Sequence, residues 1–108
     1  MIDGFWLVHA EGPQGSAGGV AVFANGKVFG GDSGFYYMGT YQEKDGVVKA
    51  RVAVHNFDPA ITNILSVAKD YELHVTGTIK DDTIRGTAMV SGIPHQSLAL
   101  QLTKKANF

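Results

Sequence analysis

Apolar residues recur at every second position through most of this chain, and that alternation limits the fold more than any other feature. Val48, Ala50, Val52 and Val54 fall on one side of a strand, while Lys49, Arg51, Ala53 and His55 fall on the other. Tyr71, Leu73, Val75, Gly77 and Ile79 alternate with Glu72, His74, Thr76, Thr78 and Lys80. Ile84, Gly86, Ala88 and Val90 alternate with Arg85, Thr87, Met89 and Ser91, and Leu98, Leu100 and Leu102 with Ala99, Gln101 and Thr103. A helix would place its apolar residues three and four apart. These segments fit strands with one buried and one wet face.

Turn chemistry separates the runs. Asn25-Gly26 and Asp45-Gly46 are strong hairpin signals, because both residues of each pair tolerate the positive φ of a type I′ turn. Asp81-Asp82 is a weaker turn, and Gly12-Pro13-Gln14-Gly15 and Gly92-Ile93-Pro94-His95 are loops. Eight strands follow, at about 4–10, 16–24, 27–31, 35–43, 47–56, 70–80, 83–91 and 97–104. One segment departs from the pattern. Asp58-Pro59 offers an N-cap and an N1 proline, with Ile61, Ile64, Leu65 and Ala68 following at helical spacing, so a short helix between strands 5 and 6 is expected.

Because the other connections are short, consecutive strands should be antiparallel neighbours. A meander of eight strands has two bare edges, which closure into an up-and-down barrel removes. The fold class expected is therefore all-β, an eight-stranded antiparallel barrel spanning residues 1–108 as one domain, with an open sandwich as the alternative. Closure would bring the last strand, near Leu100, onto the first, near Leu7. The small inward residues Ala50, Gly77, Gly86 and Ala88 either relieve strand curvature or leave a narrow cavity.

Composition excludes several function classes. With Lys+Arg 9 and Asp+Glu 10, the net charge of -1 carries no basic excess for nucleic acid and no charge block for a membrane surface. Zero cysteines rule out a disulfide scaffold, thiol catalysis and Cys-ligated metal. The opening Met-Ile-Asp-Gly-Phe-Trp lacks a signal peptide's basic segment and apolar run, and no apolar run approaches the ~18 residues of a spanning helix, so a cytoplasmic chain is expected.

Few residues carry a chemical signal. His55 and His74 would share an outer face with Glu72 and could hold a transition metal only with a third ligand; solvated histidines are the plainer reading. Ser33, Ser91 and Ser97 sit in no nucleophile motif, and Glu43, Asp45 and Asp81-Asp82 are accounted for as hairpin tips. No catalytic residue, cofactor or metal site is assigned. Gly30-Gly31-Asp32 is too short for a phosphate loop and leads into a strand rather than a helix. It reads as a tight turn, with glycines for positive φ and Asp32 bonding nearby backbone N–H groups. For chemistry at a barrel mouth, His95, Asp32 and Tyr71 are the groups to examine. Aromatic rings remain: in Phe5-Trp6 and Phe35-Tyr36-Tyr37 successive rings face opposite sides. An outward patch of Trp6, Tyr36 and Met38 would call for a partner, and a homodimer is the expected assembly.

Asp3-Gly4-Phe5-Trp6, Asn25-Gly26, Gly30-Gly31-Asp32, Tyr37-Met38-Gly39 and Asp70-Tyr71-Glu72-Leu73 follow in an order that resembles the GrlR family, small bacterial negative regulators known from type III secretion control. The resemblance covers roughly the first three quarters of the chain, with Gly-Gly-Asp followed by Tyr-x-Gly as its most specific part. It implies a dimeric lipocalin-like barrel that holds a transcriptional activator instead of catalysing a reaction. It also implies a partner surface at an exposed acidic run, Glu-Asp-Glu-Asp, whose matching positions here are Glu43, Lys44, Asp45 and Gly46. Two of those four are acidic and one is basic. Three function classes thus stand: a protein-binding regulator, a binder of small hydrophobic ligands inside the barrel, and an enzyme, in that order of support.

Overall fold

The computed structural model describes residues 2–13, 15–61 and 70–108, with backbone only at 93–96. Among the described residues eight strands occur: β1 (Gly4–Gly12), β2 (Gly15–Ala24), β3 (Lys27–Gly31), β4 (Phe35–Lys44), β5 (Val47–Asn56), β6 (Tyr71–Lys80), β7 (Thr83–Val90) and β8 (Ile93–Asn107). Each pairs antiparallel with the next, and β8 pairs with β1, so the sheet is a closed barrel. Closure is offset from the expected register: Leu7 faces Thr103, and Leu100 faces Ala10.

The turns take the backbone their residues favour. Asn25 and Gly26 have φ of 52° and 79°, Asp45 and Gly46 54° and 80°, and Asp81 reaches 56°. No helix occurs among the described residues. Most of the segment expected to be helical, 62–69, lies outside them, and its described start forms a turn instead. There Ile61 N–H donates to the Asp58 carbonyl at 3.0 Å and Ala60 N–H to Asp58 Oδ1 at 3.0 Å. Asp58 accepts from both N–H groups as its chemistry suggests, and the remainder of the expected helix lies outside the described residues.

The meander sets Ile2, Asp3 and the turns at 25–26, 45–46 and 81–82 at one end of the barrel. The connections after β1, β3, β5 and β7 lie at the other. Trp6 closes the first end. It is fully buried, contrary to its expected place on the outer surface. The reason is strand parity: His9 and Glu11 must face water, so Phe5 and Leu7 point out with them, while Trp6, Val8 and Ala10 point in. Trp6 Nε1–H donates to the Ile2 carbonyl at 2.8 Å and the ring meets Phe23 edge-on at 5.8 Å. Phe23 in turn meets Tyr41 edge-on at 5.1 Å, and Tyr41 donates its hydroxyl proton to Asp3, which also accepts from Asn25 N–H at 3.2 Å. These contacts pin the chain start across the barrel end.

The small interior residues divide between the two roles expected of them. Gly77 faces Gly86 across the β6–β7 pair, and a Cβ on Gly86 would lie 2.1 Å from the Thr76 carbonyl oxygen and 2.5 Å from Gly77 Cα. Two backbones approach there more closely than any side chain permits. Ala50, by contrast, borders open space inside the barrel. Gly86→Ala is therefore expected to destabilise by about 1–3 kcal/mol, whereas Thr87→Ala, on the exposed outer face, should stay within about 0.5 kcal/mol. Urea unfolding of the two variants checks this; equal effects would overturn the inward assignment.

Candidate functional site

Two features are built well enough to serve a function: the barrel interior at its second end and the outer face of β1–β4. The interior holds a cavity of about 390 Å³. Its deep wall is apolar, with Phe23, Val28, Val48, Ile84 and Leu102, and among the described residues its polar side chains are Ser16, Asp32, Ser33, Tyr37 and Tyr71. All five stand at or near the strand ends around the same opening, so the cavity has an apolar base and a polar mouth.

Asp32 organises that mouth. Its Oδ1 accepts from Gly34 N–H and Phe35 N–H, both at 3.0 Å, and its Oδ2 accepts from the Tyr37 hydroxyl at 3.1 Å. The backbone N–H contacts are those expected of a turn aspartate. The preceding glycines serve a different purpose from the one expected, since neither Gly30 nor Gly31 has positive φ. They are needed for close approach: a Cβ on Gly30 would sit 2.1 Å from the Val20 carbonyl oxygen. Gly19 makes room in the same way, because its Cβ would fall 2.7 Å from the Tyr37 hydroxyl.

Burial, then the Asp32 charge, push the Tyr71 phenol up to about 12. Burial, the Asp32 charge and the hydrogen bond to it raise Tyr37 as well. Both phenols therefore keep their protons at neutral pH. Of the three groups singled out at the mouth, Asp32 and Tyr71 border the cavity together; the side chain of His95 lies outside the described residues.

The outer surface is divided into two unlike halves. Cross-strand neighbours Phe5, Val22, Phe29, Met38 and Ala53 form one row, and Leu7 and Val20, then Tyr36 across Gly31, form the next. Leu7, Val20, Phe29, Tyr36 and Met38 are each 38–46% exposed, so they make one continuous apolar face. Tyr36 and Met38 stand on it as expected. Phe29, Leu7 and Val20, which sequence reasoning did not assign, replace Trp6. The Asn25-Gly26 hairpin held the signal for Phe29, since that turn sets it opposite Val22 on the side away from Val28.

The other half is mostly polar, with Lys49, Arg51, Glu72, His74, Thr76, Arg85 and Gln101, though Met89 stands exposed opposite His74. Glu72 accepts from His74 at 3.0 Å and from Arg51 at 3.0 Å, which holds its carboxyl below the usual carboxylate range. The register sets His74 opposite Arg51, four positions along β5 from His55, so the two histidines do not converge as expected. His55 instead stacks on Tyr36 at 5.1 Å and lies 3.4 Å from Asp70. Among the described residues no three His, Asp or Glu are grouped closely enough to hold a metal ion. Glu43, Lys44 and Asp45 are exposed at the tip of the β4–β5 hairpin, and Gly46 takes the second position of the turn.

The fold and its site together define a closed up-and-down β-barrel with an apolar interior, a polar mouth and one apolar outer side. The family model described as the type III secretion system negative regulator GrlR matches residues 1–105. The chain belongs to the GrlR family, and the match reaches well past the three quarters that the motifs alone covered. Comparison with curated proteins finds none that matches.

The raised phenols make a pH prediction. An unfolded tyrosine ionises near 10, while Tyr71 holds its proton to about 12 in the fold. Above about pH 10 the unfolded chain therefore binds fewer protons than the native one, and stability falls as pH rises; below it these groups contribute no slope. Melting temperatures measured from about pH 8 to pH 12 should decline less steeply above pH 10 for Tyr71→Phe than for the parent. Parallel curves would refute the assignment.

Proposed function

We infer from membership of the GrlR family that the protein has a role in regulating type III secretion. We propose that the protein does this as a cytoplasmic, non-enzymatic homodimer that binds another protein, with a transcriptional regulator as the partner. The observation that carries the reading is the apolar face of β1–β4. An exposed, continuous set of large apolar side chains on one side of a barrel costs free energy in water and is relieved by covering it. A two-fold interface covers the same patch on both copies, and it is the commonest arrangement of homo-oligomers.

Partner binding is assigned to the β4–β5 tip. Glu43, Lys44 and Asp45 are exposed there, at the barrel end opposite the cavity mouth. They occupy the positions of the acidic run through which the family resemblance implies partner contact. The tip stays accessible when the apolar face is covered. Its mixed charge favours a partner less basic than four carboxylates would select. The barrel is of the up-and-down type that lipocalins share, and its cavity supports a second, ligand-binding reading developed below.

Sedimentation equilibrium of the full chain should give twice 11.5 kDa. Phe29→Glu combined with Met38→Glu should give the monomer with an unchanged far-ultraviolet spectrum. A parent that stays monomeric at all concentrations rejects the interface. In a strain carrying a type III secretion reporter, expression of the chain should lower the output. Glu43→Lys with Asp45→Lys should restore it without dissociating the dimer. Undiminished repression would remove the tip from the contact surface.

A further inference from the structure

The cavity is large and chemically polarised, and the protein-binding reading makes no use of it. Its volume of about 390 Å³ lies within the range of roughly 300–1,000 Å³ typical of small-molecule sites. At about 30 Å³ for a water-sized group, that is room for on the order of a dozen heavy atoms. Packing it shut would have needed only larger residues where Ala10, Ala17, Ala21 and Ala50 line the wall. Among the described residues the base offers no hydrogen-bonding side chain. The mouth offers both kinds: Asp32 Oδ2 accepts one proton, from Tyr37 at 3.1 Å, and a carboxylate oxygen has a second lone pair. Tyr71 places a phenol at the same mouth.

We propose that the barrel binds a small apolar molecule ending in a hydroxyl group, with its hydrocarbon body against the base and its hydroxyl at the mouth. The hydroxyl donates to Asp32 Oδ2 and accepts from the Tyr71 phenol. Tyr71 can act as that donor because a phenol is protonated at neutral pH. A carboxylate of the same length is disfavoured, because its charge would lie beside that of the half-buried Asp32 carboxylate. The selectivity thus runs against fatty acids and toward alcohols. This inference is independent of the protein-binding reading, since the cavity and the outer face use opposite sides of the strands.

The test titrates 1-decanol and decanoate into the full chain at pH 7.5, read by calorimetry and by melting temperature. Saturable binding of decanol, about tenfold or more tighter than decanoate, is expected. Asp32→Asn keeps the acceptor for Gly34 and Phe35 N–H but removes the charge, and should bring the two probes within about threefold of each other. Ala50→Leu and Ala10→Leu fill the cavity at separate points. Each should weaken decanol by about tenfold or more, and either suffices if the other fails to fold. Absence of saturable decanol binding, equal binding of both probes by the parent, or unchanged affinity in a folded cavity-filled variant overturns the proposal.

Discussion

A meander of eight strands that stayed open would expose two rows of unpaired N–H and C=O groups, each a template for association with another chain. Here β8 pairs with β1 from Gly4↔Asn107 to Glu11↔Ala99, and the last edge disappears. Everything else depends on that pairing. Once the sheet is closed, every strand has an inside and an outside, and each residue's parity decides whether it packs, lines the cavity or meets solvent. The bulge between Phe5 and Trp6 adjusts the register so that Lys104 faces Trp6, with its ammonium 5.8 Å from the ring centroid. The closing seam is therefore also where the barrel end is sealed.

Closure leaves the two ends chemically different. At the first, Trp6, Phe23 and Tyr41 stack edge to face, and Asp3 ties the chain start to Tyr41 and Asn25. Aromatic edges and paired polar groups fill that end. At the second, Asp32 satisfies two backbone donors and one phenol while leaving acceptor capacity directed at the interior. The barrel is a cup, and its base and rim differ in polarity as a container for an amphipathic molecule would. The outer surface shows a comparable split, with apolar rings over β1–β4 and the Arg51–Glu72–His74 group among polar side chains over β5–β8.

Much of this was legible in the sequence because it is local. Asn25-Gly26 and Asp45-Gly46 specify two-residue turns, two-residue turns specify register, and the alternation of Val48 to Val54 specifies which side is buried. Asp32 as a turn acceptor was likewise readable. What escaped depends on distant chain. The reason for Gly30 is the Val20 carbonyl, on a neighbouring strand, so φ was the wrong explanation. The separation of His55 from His74 depends on a connection of more than ten residues, which fixes no register by itself. Trp6 was misplaced although His9 and Glu11 indicated its parity, because a bulky ring beside another bulky ring gives no direction on its own. The pairing of Tyr37 with Asp32 required both the β3–β4 turn and the gap left by Gly19.

The cavity has an energetic meaning beyond shape. Interior volume that no side chain fills forfeits packing contacts, and in one series of Leu→Ala core variants the loss of stability grew by about 24 cal/mol for each Å³ of cavity. A small barrel has little stability to spare, and larger side chains at Ala10 or Ala50 would recover some of it. The close packing of Trp6, Phe23 and Tyr41 at one end against the interior space at the other is an asymmetry that suits a binding site better than a uniformly loose core. A ligand that fills the space binds the native barrel and not the unfolded chain. It therefore stabilises the fold by linkage without moving any strand.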